Sequence, residues 1–273
     1  MTPAETTAPD PIAPVDLAAE RAELGPDLEE AVLRTLRSGA FVLGPEVEGF
    51  EAEFAHYQRC THGIGVASGT DALILAMHAA GVKPGDHVVT SPFTFFASAG
   101  TMAWVGARPV FADVELDTAL LDPKEAASAI DDKTTCILPI HLYGQLADMD
   151  AFSSLASKRG LMLLEDAAQA HGAERDGYRA GERSLAAGFS FYPTKNLGAA
   201  GDAGLVTTQH EEINVALRRL RDHGSPKKYE HASIGTNSRL ASLQAACLRV
   251  KLPHLEAWND RRRANAKHYD QAF

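Results

Sequence analysis

The feature that most constrains the fold is an alternation, from about residue 60 onward, of short apolar runs with helical patterns. Short apolar runs bounded by turn residues indicate buried strands, and apolar residues spaced three or four apart indicate helices that cover them. Strands that alternate with helices form a mainly parallel sheet with helices on both faces. The predicted strands are HGIGVAS, HVVTSP, ARPVFADV, TTCILPIHLYG, LMLLEDAA, GFSFYP and AGLVTT. The sequence therefore predicts an open α/β domain, whose ligands would bind beyond the carboxyl ends of the strands.

Helical patterns lie between several of these strands and dominate the last third of the chain. They are TDALILAMHAAG, FFASAGTMAWVGA, PKEAASAI, DAFSSLASKRG and HEEINVALRRLRDHG. A longer helix is predicted from Ser238 to the end, and we expect it to bend near Pro253 because proline removes a helical hydrogen bond. The pattern divides the chain into a flexible arm over residues 1–15, a large α/β domain over 16–237 and a long helical segment over 238–273.

Composition narrows the class of protein and its partners. The 273 residues are 45% hydrophobic, which is enough to bury a core without a disulfide or a metal. A net charge of -10 disfavours nucleic acid and anionic membranes as partners. The first residues lack a signal-peptide pattern, and no apolar run reaches the ~18 residues of a membrane span. With three scattered cysteines, which we expect to be reduced, the chain is predicted to be cytoplasmic.

One lysine stands where it could do covalent chemistry. The segment GFSFYPTKNLGAAGDAG carries Lys195 just after a predicted strand, among glycines and other small residues. Burial there would lower the pKa of its amine and make it a nucleophile toward an aldehyde, as a Schiff-base lysine must be. A lysine chosen at random is more often a solvated surface residue, so the neighbouring motifs have to decide between these interpretations.

An acidic pair follows the predicted strand LMLL. Strand alternation puts Asp166 and Ala168 on one face and Glu165 on the other. A carboxylate in this place can keep a pyridine nitrogen protonated, so that the ring acts as an electron sink. Ala168 would then lie beneath the ring, and Gln169 could donate to a ring hydroxyl oxygen. The alternative is an exposed acidic pair that caps the next turn.

The segment VASGTDALILAM offers a phosphate site. Gly69 and Thr70 lie between a strand and an amphipathic helix, where backbone N–H groups and a hydroxyl can bind an anion. The alternative is an ordinary helix cap. Ser190 could provide a second hydroxyl, and one phenylalanine of SPFTFFAS could stack on a flat ring. The nearby GIGVASG lacks the spacing of a dinucleotide fingerprint, and no Walker lysine follows it.

These segments, in this order, resemble the sugar aminotransferase family DegT/DnrJ/EryC1/StrS, within the fold-type I aminotransferases. The matching segments are SGAFVLGPEVEGFEAEFA, SGTDAL, PFTFFAS, PIHLYGQLADMDAF, LLEDAAQAHGA, FSFYPTKNLG and GTNSRL. The resemblance implies a fold-type I large domain over residues 16–237 that binds pyridoxal 5′-phosphate. It also implies an amino group transfer in which Lys195 moves a proton as general base and acid.

The resemblance assigns a role to each candidate residue. The residues implied at the cofactor ring are Lys195 as Schiff base, Asp166 at the pyridine nitrogen, Ala168 beneath the ring, Gln169 beside the ring hydroxyl and Phe95 stacked on the ring. The residues implied at the phosphate are Gly69, Thr70, Ser190 and, from the neighbouring subunit, Asn237. A site shared in this way implies an obligate homodimer.

The substrates follow from the same resemblance. It implies glutamate as the amino donor and a nucleotide-linked keto sugar, with dTDP as the carrier, as the acceptor. The segments FYPTKNLGAAGDAG, NSRL and LRVKLPHLEAWNDRRR are more similar to enzymes that act on 3-keto sugars than to those that act on 4-keto sugars. The resemblance therefore implies a 3-keto-6-deoxyhexose acceptor, with a 4-keto sugar as the alternative.

Two other functions compete with this one. Family members are usually longer and end in a small domain over the active site, so the resemblance implies that residues 238–273 only begin such a domain. A truncated, non-catalytic paralogue that binds the cofactor or regulates is therefore an alternative. A metal hydrolase built from Asp166, His171 and His141 is another, but no two of these have ligand spacing on one element, and no metal is predicted.

Overall fold

The computed structural model describes residues 15–227 and 229–273, so the predicted arm over 1–15 lies, except for its last residue, outside the described residues. In this part of the chain the strands are β1 (His62–Val66), β2 (His87–Thr90), β3 (Arg108–Phe111), β4 (Thr134–Ile137), β5 (Met162–Asp166), β6 (Glu174–Arg175), β7 (Tyr178–Arg179), β8 (Ala186–Ser190) and β9 (Gly204–Thr208). Seven of them form one sheet in the order β1-β9-β8-β5-β4-β2-β3. The run from β8 to β3 is parallel, and β9 is antiparallel to both of its neighbours. The predicted open, mainly parallel α/β sheet is confirmed.

Helices cover the sheet and begin and end at residues suited to those positions. They are α1 (Leu17–Leu24), α2 (Asp27–Ser38), α3 (Pro45–Tyr57), α4 (Gly69–Ala80), α5 (Phe96–Trp104), α6 (Pro123–Ala129), α7 (Met149–Arg159), α8 (Glu211–Leu220), α9 (Ser242–Lys251) and α10 (Leu255–Ala272). Ser68 caps α4 by accepting a hydrogen bond from the Asp71 N–H, and Gly81 ends it with a left-handed φ of 95°. No described helix is long and apolar enough to cross a membrane.

The apolar core has two layers, one on each face of the sheet. Consecutive strand residues fall in different layers, as strand alternation requires: Leu163 packs in one and Leu164 in the other. The first layer contains Phe50 and Phe54 of α3 with the neighbouring strands, and the second contains the apolar face of α4. Each buried aliphatic or aromatic side chain contributes roughly 1.5–3 kcal/mol, so both layers hold the strand ends in place.

The long helix predicted for the last third of the chain begins later than predicted. The helix predicted from Ser238 begins instead at Ser242, because the preceding residues make tertiary hydrogen bonds. The Ser238 hydroxyl donates to Asp71 and accepts from the Ala67 N–H, and this holds residue 238 in a non-helical position. The helix is interrupted near Pro253, where a bend was predicted: α9 ends at Lys251, and a short 3-10 turn separates it from α10.

Candidate active site

A cavity of about 560 Å³ opens beyond the carboxyl ends of β1, β5 and β8. Parallel strands end at the same edge of a sheet, and this edge is where open α/β domains bind ligands. All but one of the site residues predicted from the sequence line the cavity: Gly69, Thr70, Phe95, Asp166, Ala168, Gln169, Ser190 and Lys195. The exception is Asn237, which is exposed and does not line the cavity of its own chain.

Lys195 lies in a turn that follows β8. Its backbone N–H donates to the Tyr192 carbonyl at 2.8 Å, and its side chain is half-buried. Among the described residues, the Lys195 amine has no hydrogen-bond or ion-pair partner. Burial lowers the pKa of this amine below its usual value, although the charge of Asp166 opposes the shift. More of the amine is therefore neutral than in a solvated lysine, and a neutral amine is a nucleophile toward a carbonyl carbon.

Asp166 faces the cavity from the end of β5 and is only 6% exposed. One carboxylate oxygen accepts from the Ala168 N–H at 3.1 Å, and the other accepts from the Ser98 hydroxyl at 2.7 Å. Since both restraints act on the carboxylate itself, its orientation in the cavity is set by the protein. A negative group of this kind can stabilise a protonated ring nitrogen.

Glu165 points to the opposite face of β5, as strand alternation requires. Its carboxylate accepts from the Gly181 N–H at 2.9 Å and from the Ser184 hydroxyl, and it lies 2.7 Å from the His141 ring nitrogen Nε2. Glu165 is 1% exposed. The alternative of an exposed acidic capping pair is wrong, because both carboxylates are buried and bonded within the protein.

The start of α4 forms the opposite end of the cavity. A Cβ atom on Gly69 would lie 2.4 Å from the Ser190 Cβ, so only glycine lets the helix approach this serine so closely. The first N–H groups of a helix have no acceptor within the helix, and the helix dipole is positive at that end. Together with the hydroxyls of Thr70 and Ser190, this end of the cavity can bind a phosphate.

Three further residues of the cavity lining, Gln169, Phe95 and Ala168, suit a flat ring. The Gln169 side-chain oxygen accepts from the Tyr143 N–H at 2.8 Å, which leaves the Gln169 amide group free to donate toward the cavity. Phe95 lies at the start of α5 and is 73% exposed, so its ring is available to a ligand or a partner. Ala168 presents only a methyl group to the cavity.

Several lining or supporting residues were not predicted. Ser98 bonds to Asp166, and Thr94 lies 2.8 Å from the Ser98 hydroxyl oxygen. Thr94 and Ser98 are four residues apart in SPFTFFAS, a spacing that could have predicted that their hydroxyls lie close together. The interpretation of this segment considered only its aromatic residues. Tyr192 and Asp202 also line the cavity. Both lie within seven residues of Lys195 in the chain, and this proximity could have predicted that they line the same cavity.

The two histidines of the metal-hydrolase alternative have other bonds. His141 is bonded to Glu165, and the His171 ring lies 2.6 Å from the Asn196 side-chain oxygen and 2.9 Å from the Ser190 carbonyl. In the part of the chain that the structure describes, no cluster of three or more histidine, cysteine or acidic side chains is placed to hold a metal ion.

Comparison with known proteins identifies the family. The model described as "DegT/DnrJ/EryC1/StrS aminotransferase family" matches residues 23–273. The "Pleiotropic regulatory protein" of Geobacillus stearothermophilus is 47% identical over 93% of this chain and 68% of its own. The "dTDP-3-amino-3,4,6-trideoxy-alpha-D-glucose transaminase" of Streptomyces venezuelae is 49% identical over 93% of this chain and 67% of its own.

Solved structures agree with the sequence comparison. The crystal structure of S. venezuelae DesV in complex with a ketimine intermediate has 50% sequence identity and a TM-score of 0.91. It covers 93% of this chain, which in turn covers 68% of that structure. Pyridoxal 5′-phosphate is the cofactor of these fold-type I enzymes. The fold that surrounds the cavity in this chain is the fold of those enzymes. This chain therefore belongs to the DegT/DnrJ/EryC1/StrS aminotransferase family, and it is a pyridoxal-phosphate-dependent aminotransferase of nucleotide-sugar metabolism.

Proposed function

We propose that the protein transfers the amino group of glutamate to a nucleotide-linked 3-keto-6-deoxyhexose carried by dTDP. One observation carries the proposal: the half-buried, unpartnered amine of Lys195 shares a cavity with Asp166 and with the start of α4. A nucleophilic amine, a fixed carboxylate and a phosphate site are the three groups that this chemistry requires. The choice of a dTDP-linked 3-keto acceptor is supported by the name of the S. venezuelae transaminase.

The residues present fit pyridoxal 5′-phosphate in size and in chemistry. The cavity of about 560 Å³ has an amine and an acid in its walls, and helix N–H groups and hydroxyls at its far end. The close approach of Gly69 to Ser190 would be lost with any side chain at residue 69. A cofactor with an aldehyde, a ring nitrogen and a phosphate matches these groups.

Each residue then has a defined task. Lys195 would hold the aldehyde end, Asp166 the ring nitrogen and Gln169 the ring hydroxyl, while Phe95 and Ala168 would cover the two ring faces. Gly69, Thr70 and Ser190 would hold the phosphate. When bound, the cofactor supplies a carbonyl that accepts an amine and a ring that withdraws electrons from the adjacent C–H bond. The Lys195 Nζ, freed by the amino donor, would accept a proton and return it to a neighbouring atom.

We also propose that two copies share each site. Asn237 is exposed and does not line the cavity of its own chain, so it is available to a neighbour's phosphate. Phe95, which lines the cavity, and Phe96 and Trp104 at the two ends of α5 are 73%, 81% and 74% exposed. An apolar surface of this kind is uncommon on a monomer and is typical of an interface.

The test is an amino-transfer assay with purified protein, added cofactor and glutamate. We expect amination of a dTDP-linked 3-keto sugar to exceed that of the 4-keto isomer or of a UDP-linked sugar. A preference for the 4-keto isomer would contradict the proposed 3-keto acceptor, and no transfer to any keto sugar would contradict the proposed reaction.

Mixing K195A with N237A protein should restore activity above the sum of the two variants, because a mixed dimer has one intact site. No gain from mixing would contradict the shared site.

A second candidate function has one observation in its favour. The 47% identical relative from G. stearothermophilus is named a pleiotropic regulatory protein, which suits a paralogue that keeps the cavity for binding alone. The same assay separates the two functions, because a purely regulatory protein would bind the cofactor but release no 2-oxoglutarate from glutamate.

A further inference from the structure

A second cavity, of about 500 Å³, lies on the other side of Lys195. It shares Gln169, Thr194 and Lys195 with the first cavity, so the two are neighbours across the lysine side chain. Its outer wall is α10, which contributes Arg262 and Arg263. A reactant that presents one end to the Lys195 amine can therefore place its other end in this second cavity.

Arg262 is the cation in this wall that the protein leaves unneutralised. The two arginines beside it are paired: Arg261 with Glu23 at 2.8 Å, and Arg263 with Glu256 at 3.4 Å. Arg262 has no hydrogen bond or ion pair within residues 15–227 and 229–273. The acid whose charge acts on Arg262 is Glu20, and Glu20 is itself paired with Lys251.

Tyr143 also lines this cavity, in a backbone conformation that is unusual for its residue type. Its φ is 56° and its ψ is 23°, which is the left-handed region that favours glycine. The conformation is held by the hydrogen bond from its N–H to Gln169, and the side chain is 71% exposed. Strained backbone of this kind occurs preferentially at ligand-binding sites. Here it holds an exposed tyrosine in the lining of the second cavity.

We propose that the second cavity is an anion subsite, in which the Arg262 guanidinium and the Tyr143 hydroxyl bind an oxyanion group of a reactant. A guanidinium can donate two parallel hydrogen bonds to a carboxylate or a phosphate. In a chain with a net charge of -10, a local positive site also directs anions to the lysine. The inference rests on the proposed function, whose two reactants both carry such groups: the carboxylates of glutamate and the diphosphate of the nucleotide sugar.

The test compares R262Q with R261Q, because Arg261 is the adjacent arginine of the same helix and is already neutralised by Glu23. Binding of dTDP and of glutarate to each protein is measured by isothermal titration calorimetry, and KM is measured for each reactant. A hydrogen bond to a charged group contributes ~1.5–3 kcal/mol, so R262Q should weaken one probe about tenfold or more. R261Q should bind both probes like the unaltered protein, and kcat of R262Q should change little.

Each result has a defined meaning. Weaker dTDP binding assigns the subsite to the diphosphate, and weaker glutarate binding assigns it to the amino donor. Unchanged affinity for both probes in R262Q would overturn the proposal. Because the probes bind without turnover, a protein that transfers no amino group but loses dTDP affinity in R262Q would reject the proposed function and keep the subsite. If R262Q fails to fold, R262K and Y143F provide the same comparison, since each keeps most of the side chain but removes hydrogen-bond donors.

Discussion

At the scale of single residues, the orientation of Asp166 depends on a serine that does not itself line the cavity. Ser98 is 1% exposed, donates to the Asp166 carboxylate at 2.7 Å, and is itself 2.8 Å from Thr94. A hydroxyl that bonds to a buried carboxylate fixes the rotation of that carboxylate. Ser98 is thus a positioning residue for the group that we assign to the ring nitrogen.

Replacing Ser98 with alanine should weaken cofactor binding about tenfold, because a hydrogen bond to a charged group is worth ~1.5–3 kcal/mol. Fluorescence titration with pyridoxal 5′-phosphate measures the dissociation constant, and S98T should restore much of the affinity because it keeps a hydroxyl. Ser242, also 1% exposed, gives a matched control as S242A, since its hydroxyl bonds only to the Leu43 carbonyl at 3.3 Å. Equal affinities for S98A and S242A would rule out the positioning role.

The site residues that could be predicted from the sequence lie at strand ends, and those that could not be predicted lie on helices distant in the chain. Asp166 is the last residue of β5 and Lys195 lies in the turn after β8, so the strand pattern alone brought both residues to one edge of the sheet. Ser98 bonds to Asp166 from a helix, and Arg262 lines the second cavity from another helix; both helices are distant in the chain from these sites, and no local pattern reports such proximity. Asp166 and Ser98 are 68 positions apart.

At the scale of elements, the turn that carries Lys195 is connected to α10 by a buried amide network. The Asn196 side-chain amide donates to the His171 carbonyl and to the Asn259 side-chain oxygen, each at 3.0 Å. The Asn259 amide donates to the same carbonyl at 3.0 Å. Burial lowers the pKa of the His171 ring to about 4, so near neutral pH the ring is uncharged. The network therefore fixes the lysine turn through amides rather than through charges.

The variant N259A should lower kcat about tenfold while KM for both reactants changes little, because small displacements of reacting groups are costly: ~1 Å can cost about 100-fold. The control is N214A, which removes another nearly buried asparagine, on α8, whose side chain bonds only to nearby residues of that helix. Steady-state kinetics and thermal melts of both variants measure the effect. If N214A lowers kcat as much as N259A, the loss reflects stability and not the position of the lysine.

Elements were predictable to the extent that their own residues determine them. The seven strands of the main sheet carry apolar runs bounded by turn residues, and each of these runs is a strand in the structure, with shifted ends in several cases. The hairpin of β6 and β7 was not predicted, because strands of two residues have no periodicity, although its Asp176-Gly177 turn has two positive φ values. The start of α9 was predicted at Ser238 and was wrong, since a tertiary hydrogen bond to Asp71 decides it.

At the scale of the whole molecule, the sheet brings together groups from separate parts of the chain. The lysine turn, the Asp166 strand end and the start of α4 meet because β1, β5 and β8 run in the same direction and end at the same edge. A second lysine lies near this region, but the amine of Lys251 donates to the Gly198 carbonyl at 2.7 Å and pairs with Glu20. Lys195 is therefore the lysine in the described cavity walls whose amine is free to react.

The chemistry proposed here depends on the Lys195 amine, which we expect to bind pyridoxal 5′-phosphate covalently. Borohydride reduction of the cofactor-loaded protein, followed by peptide mass spectrometry, measures which lysine carries the cofactor. We expect the reduced cofactor on the peptide that contains Lys195, a decrease in that label when glutamate is added before reduction, and no specific label in K195A. Label on another lysine, or the same labelling in K195A as in the unaltered protein, would show that Lys195 is not the residue that holds the cofactor.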